Sequence, residues 1–254
     1  MTTASPLAAA DALPSALVQP LLERAVAGGA PAVEVFAPAT GRKIADLPQS
    51  SVADIDRAFA TARAVQQEWA RRPIRERAAV LRRFHDIVLA EQDVVLDIVQ
   101  TETGKSRAHA FDEVGDVAVN ARYYAQVAPK LLATRKPRGV LPVLTRVDVR
   151  HRPKGVVAVI SPWNYPLALA VSDALPALVG GHAGVGRPGN QTALIAGGGV
   201  DAAERAGLAK GNQRLLEYVR CHARRSTDRP DCRYPLLGIS SCWRCGSLRM
   251  RAVS

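Results

Sequence analysis

Val156-Val157-Ala158-Val159-Ile160-Ser161-Pro162-Trp163-Asn164-Tyr165-Pro166 reads VVAVISPWNYP. Five apolar residues, bounded by Gly155 and by Ser161-Pro162, predict a short strand. Unbroken apolarity suits a strand covered on both faces, as in a parallel sheet. Pro166 suits the first turn of a helix, which Leu167–Leu178 is expected to continue. Asn164 then falls in a strand-to-helix turn at the carboxyl end of the strand, where open α/β sheets take their ligands. Its side chain offers two N–H donors without a charge. That suits it to hold a developing oxyanion, a role in which losing one donor costs roughly 3–4 kcal/mol. The alternative is a turn asparagine that bonds its own backbone.

Upstream, VEVFAPATGRKIADLP (Val33–Pro48) predicts two strands around a Thr40-Gly41 turn. Ser51 and Asp54 form a capping signal for a helix carrying Ile55, Phe59, Ala62, Val65 and Trp69 on one face. Pro73 separates it from a second helix with Ala78, Leu81, Phe84 and Val88 inside, and Asp93–Thr101 predicts a third. A fourth shows Phe111, Val114, Ala118, Ala121, Ala125 and Ala128 at helical spacing, which Pro129 is expected to stop. Its length is marginal for a coiled coil, so it reads as a packed core helix. Val140, Leu141, Val143, Leu144, Val147 and Val149, set among basic residues, predict an extended two-stranded arm. Before all of these, the Ala- and Pro-rich start holds one candidate helix, Ser15–Ala27.

An apolar content of 48% is ordinary for a globular protein. No apolar run approaches the roughly 18–20 residues of a membrane span, and the start lacks the pattern of a signal peptide. The expected setting is the cytoplasm, with no membrane partner. The net charge of +11 invites a nucleic-acid reading. Its distribution argues against a simple version: residues 212–254 hold nine arginines, no lysine and three acids, while the other 211 residues carry only +5. All four cysteines, Cys221, Cys232, Cys242 and Cys245, lie in that last segment.

The stretch RPKGVVAVISPWNYPLALAVSDALPAL (Arg152–Leu178) resembles the aldehyde dehydrogenase superfamily, and within it the succinate-semialdehyde dehydrogenases. The resemblance runs over about residues 30–211, through TGRKIADLP, EWARRPIRERAAVLRRF and TGK, and ends in ERAGLAKG. It implies an α/β fold with an incomplete Rossmann-like parallel sheet, an N-terminal helical region and a two-stranded oligomerisation arm. It implies that Asn164 stabilises the oxyanion formed from the aldehyde. Ile160, Ser161, Pro162 and Trp163 match the backbone run that lies along the nicotinamide cofactor. The chain would then divide into a flexible 1–31, a helical part of the cofactor domain at 32–136, an oligomerisation hairpin at 137–153, partial nucleotide-binding βα units at 154–211, and a basic Cys/Arg-rich tail at 212–254, expected to be disordered.

Departures from the family's pattern matter as much. Arg187 stands where the family has a ribose-contacting lysine, keeping the charge and not the geometry. Asn190 stands where NAD-preferring relatives often carry a glutamate facing the ribose 2′-OH. Both changes lean toward NADP over NAD. Gly184-x-Gly186-x-x-Gly189 mimics a dinucleotide fingerprint, but these glycines fall inside the presumed strand and no acid follows at about 20 residues. Gly197-Gly198-Gly199 is expected to interrupt the helix Thr192–Ala206, at about 1 kcal/mol for each glycine. Past Gly211 the family's next strand, its pyrophosphate-binding turn, its glutamate base and its nucleophilic cysteine all find no match. The tail's excess of Arg, Cys, Ser and Pro is what out-of-frame reading of a GC-rich gene gives.

The expected function is that of an aldehyde dehydrogenase-like fragment, inactive alone because the catalytic domain is missing. Its expected associations are NAD(P), bound weakly, an aldehyde in intact relatives, and a homo-oligomer or an intact homologue met through the hairpin. The alternative is a polyanion- or nucleic-acid-binding module built on the tail, with Tyr218, Tyr234 and Trp243 as stacking groups. No recognised nucleic-acid fold supports it. Cys242-x-x-Cys245 is half of a zinc site, and Cys221 and Cys232 give no second half, so no metal is expected. His85, His109, His151 and His182 show no ligand spacing.

Overall fold

A computed structural model describes residues 13–28, 30–141 and 144–215. It opens with α1 (Ser15–Leu22), shorter than the expected Ser15–Ala27. The antiparallel pair β1 (Ala30–Phe36) and β2 (Lys43–Gln49) follows. Gly41 closes their turn at φ 68°, a left-handed conformation that glycine adopts without strain. Four helices come next: α2 (Val52–Arg71), α3 (Ile74–Ala90), α4 (Gln92–Thr103) and α5 (Arg107–Leu131). The expected cap of α2 is reciprocal. Ser51 Oγ accepts from the Asp54 N–H at 3.3 Å, and Asp54 Oδ2 accepts from the Ser51 N–H at 2.8 Å.

Two details of α5 differ from the sequence reading. Val114, Ala118, Ala121, Ala125 and Ala128 are buried as expected, but Phe111 is half exposed and Ala110 and Val117 complete the buried face instead. Pro129 lies within the last turn, and the helix ends two residues later.

β3 (Val156–Ile160), β4 (Ala183–Arg187) and β5 (Gln213–Leu215) form a parallel sheet in that order. Both faces of β3 are covered. Val156 packs with Ala183, Val185 and the α2 residues Ala58 and Ala62. Val157 and Val159 join the main core with residues of α3 and α5 and of the two crossover helices, α6 (Ala174–Val179) and α7 (Ala193–Arg205). The helix expected over Leu167–Leu178 is broken. It begins at Pro166, widens to a π-helix over Ala168–Ser172, turns at Asp173 and resumes as α6.

The carbonyl end of α6 is satisfied from outside. Trp69 Nε1 donates to Leu178 O at 2.8 Å, Gln66 Nε2 to Gly181 O at 2.8 Å, and Arg77 Nε to Val179 O at 2.9 Å. The last carbonyls of a helix lack intrahelical donors, so these three side chains lock α2 and α3 onto the entry to β4. The expected arm is present as an antiparallel ribbon. Arg135 and Val149 exchange backbone hydrogen bonds, Arg138 bridges Arg146, and Val140 and Leu144 are 95% and 81% exposed.

Two expectations about the C-terminal half are corrected. β5 pairs with β4 beyond the expected seam at Gly211, joined by the Gly184 N–H donating to Asn212 O at 2.8 Å. The third strand therefore exists, although the Asn212 side chain is wholly buried with neither amide atom partnered among the described residues. The glycine triplet, in turn, does not interrupt α7, which runs unbroken through it. A Cβ on Gly197 would sit 2.8 Å from Leu21 O, and one on Gly199 would sit 2.6 Å from Val171 Cγ2. These two glycines let α7 approach α1 and the π-helix. Gly198 faces open space.

This asymmetry is testable by urea denaturation of the full chain. Gly198→Ala should raise stability by about 1 kcal/mol through helix propensity. Gly197→Ala and Gly199→Ala should each lower it by about 1–3 kcal/mol through overpacking. Equal shifts for all three would overturn the packing account.

Candidate functional site

The carboxyl ends of β3 and β4 bring the sequence-predicted residues together. Ile160 pairs with Arg187 in register, and the Ser161 N–H donates to Arg187 O at 3.0 Å. Beyond them the two strand-to-helix turns touch: a Cβ on Gly189 would meet Trp163 Cα and Cβ at 3.3 Å. Pro162 is half-buried, Trp163 is 64% exposed, and Arg187 and Asn190 are half-buried. A narrow crevice is lined here by Val159, Ser161, Gly186, Pro188, Ala196 and Gln213. Gly184 and Gly186 lie within β4, as the sequence reading placed them.

Asn164 is exposed, and its side chain makes no hydrogen bond among the described residues. It does not cap the helix that follows. That task falls to Glu113, 1% exposed on α5, whose Oε2 accepts from the Leu167 N–H at 2.9 Å and the Ala168 N–H at 3.1 Å. Glu113 Oε1 is paired with Lys105 Nζ. The same Nζ lies 4.1 Å from the centre of the Tyr165 ring. Gly104, at φ 71°, ends α4 in a left-handed turn that leads directly to this lysine.

α7 repeats the arrangement. Thr192 makes no side-chain cap, and Glu102 of α4, 3% exposed, accepts from the Leu194 N–H at 2.7 Å and the Ile195 N–H at 2.9 Å. Burial pushes the Glu102 carboxyl up to about 8, against the lowering by those two hydrogen bonds. Sequence reasoning missed both glutamates. The available signal was an acid on an apolar helix face: Glu102 follows Ile98 and Val99 at helical spacing, and Glu113 lies among Ala110, Val114 and Val117.

The fit of a dinucleotide to these residues is partial. The crevice is narrow and largely apolar, and the nearby Asn190 Oδ1 is buried without a partner among the described residues. Helix N-termini are the usual seats of a pyrophosphate. Here both helices that leave the sheet have two amides already taken by carboxylates. A pyrophosphate would therefore need donors from another element.

A covered parallel sheet, strand-to-helix turns at its carboxyl edge and an exposed ribbon arm define a protein with a Rossmann-like sheet. The chain belongs to the aldehyde dehydrogenase family, whose profile matches residues 26–222. It is 47% identical over 180 residues to a putative NADP-dependent succinate-semialdehyde dehydrogenase of Mycolicibacterium smegmatis, covering 71% of this chain and 34% of that one. A similarly named protein of Mycobacterium tuberculosis is 46% identical over 177 residues, covering 70% and 34%. The chain thus spans about a third of the length of these relatives. Among solved structures, an aldehyde dehydrogenase of Brucella melitensis biovar abortus superposes with a TM-score of 0.74 at 28% identity, covering 82% of this chain and 44% of that one. The NADP-dependent glyceraldehyde-3-phosphate dehydrogenase of Bacillus halodurans, complexed with NADP, gives 0.69 at 29% identity, covering 74% and 40%. No helix among the described residues is long and apolar enough to cross a membrane.

The raised Glu102 carboxyl makes stability depend on pH. The folded state keeps a proton that the unfolded chain releases above its ordinary value of 4.5. The contribution is therefore complete below about 4.5 and is lost as pH rises through about 8. Thermal denaturation of wild type and Glu102→Gln across that window should show the wild type falling relative to the variant. A constant difference would remove the assignment.

Proposed function

We propose that this chain is the first part of the cofactor domain of an NADP-preferring aldehyde dehydrogenase acting on succinate semialdehyde. One observation carries the reading: Asn164 presents an exposed amide, without a hydrogen bond among the described residues, in the turn at the carboxyl end of β3. In this reading Asn164 Nδ2 donates to the oxyanion that forms when a thiolate adds to the aldehyde carbon. Preorganised donors of this kind stabilise charge where it develops. The backbone of Ile160, Ser161, Pro162 and Trp163 lies along the nicotinamide side, and a bound dinucleotide would supply the hydride acceptor. Arg187 meets the ribose 2′-phosphate, and Asn190, being neutral, sets no negative charge against it. The arm over 137–153 joins subunits, of this chain or of an intact homologue.

The chain alone is inactive in this account. The cysteine and glutamate that attack the aldehyde and activate water belong to a catalytic domain that it does not match. Cys221, Cys232, Cys242 and Cys245, with the rest of the tail from residue 216 and the polyanion contacts weighed for it, lie outside the described residues.

Two measurements test this. NADPH formation at 340 nm with succinate semialdehyde should not exceed that of a chain shortened at residue 211; turnover above it would overturn the inactivity. NADP+ should bind more tightly than NAD+, and Arg187→Ala should weaken NADP+ about tenfold, as for one charged hydrogen bond, while sparing NAD+. An equal loss for both would remove the 2′-phosphate contact.

A further inference from the structure

An asparagine two residues before a helix has an obvious competing use. The first N–H groups of a helix have no partners within it, and an asparagine oxygen is among the best acceptors for them. In this turn Tyr165 occupies the capping place and has no oxygen near the backbone to offer. Pro166, the first helical residue, has no N–H. The next two amides, Leu167 and Ala168, are the ones that need acceptors, and Asn164 is the nearest polar side chain in sequence. They are taken instead by Glu113, which comes from α5, 54 residues earlier.

We infer that the Glu113–Lys105 pair is a positioning device that releases Asn164 from helix capping and leaves its amide free in the turn at the carboxyl end of β3. The geometry acts at two points. Glu113 fixes the helix start after the turn through Leu167 and Ala168. Lys105, bonded to Glu113, fixes the turn itself through the Tyr165 ring, next to Asn164. A cation over an aromatic face favours one ring position. With the acceptor gone, the Asn164 oxygen is the local substitute for the Leu167 N–H, and the amide turns back on its own chain. The inference rests on the reading of Asn164 as a ligand-facing donor. Glu102 applies the same carboxylate cap to α7, which provides a control within the same molecule.

The test compares two double variants of the full chain that both remove the buried ion pair. Lys105→Met/Glu113→Gln keeps an acceptor at position 113, and Lys105→Met/Glu113→Leu removes it. Neither leaves an unpaired buried charge, the usual reason such substitutions fail to fold. Amide hydrogen exchange at Leu167 and Ala168 should stay within about threefold of wild type in the Gln variant and speed up at least about tenfold in the Leu variant. Leu194 and Ile195 should not change in either. The NMR signals of the Asn164 side-chain amide should move in the Leu variant alone, and their response to added NADP+ should fall with them. Equal protection in the two variants, or an Asn164 side chain indifferent to the loss of the acceptor, would overturn the inference. If the exchange pattern holds while NADP+ leaves the wild-type Asn164 signal unmoved, the cap stands and the cofactor reading of the crevice fails.

Discussion

Two helices leave the sheet without a capping side chain of their own, and the architecture of the crevice depends on how that deficit is met. Glu113 serves the helix after β3 and Glu102 serves α7, each from within a layer of helices that precedes the sheet in sequence. A buried acceptor for two backbone donors is a demanding arrangement, because removing it strands both amides in a dry interior. The helical layer formed by α4 and α5 is thus more than support. It supplies the groups that fix where the two crossover helices begin, and hence where the turns at the carboxyl edge lie.

The two carboxylates are not equivalent. Glu113 has the Lys105 ammonium against it, and that ammonium also reaches the Tyr165 ring. Among the described residues Glu102 meets only backbone donors at its carboxyl, and burial dominates its protonation. The turn that carries Asn164 is therefore clamped by an ion pair, while the turn that carries Arg187 and Asn190 is held by a group whose charge varies near neutral pH. The same caps occupy the helix ends at which a pyrophosphate would otherwise bind.

Much of the fold was legible in the sequence where one local rule governed the outcome. The turn at Gly41, the Ser51–Asp54 cap, the stripe of α3 and the strand Val156–Ile160 each follow from residues within a few positions of one another. The misreadings share a different cause. Gly197 and Gly199 read as helix breakers because the sequence does not reveal that Leu21 and Val171 come within contact distance of them. β5 was hidden because Asn212 and Gln213 have poor strand chemistry, and it is main-chain pairing to β4 that draws them into the sheet. The location of Asn164 was readable from VVAVISPWNYP, and its freedom was not. That freedom is set by a glutamate on another helix.

β5 is bonded on one side only among the described residues, with β4. The opposite row of main-chain groups is a ready template for any extended segment, including that of another copy. Growth by strand addition would make the lifetime of the monomer fall with concentration. The buried Asn212 at the base of that strand weakens the resistance to it, since each unbonded polar group in an interior costs about 1–3 kcal/mol. Whatever segment follows Leu215, or a second copy, meets that row of unpaired main-chain groups first.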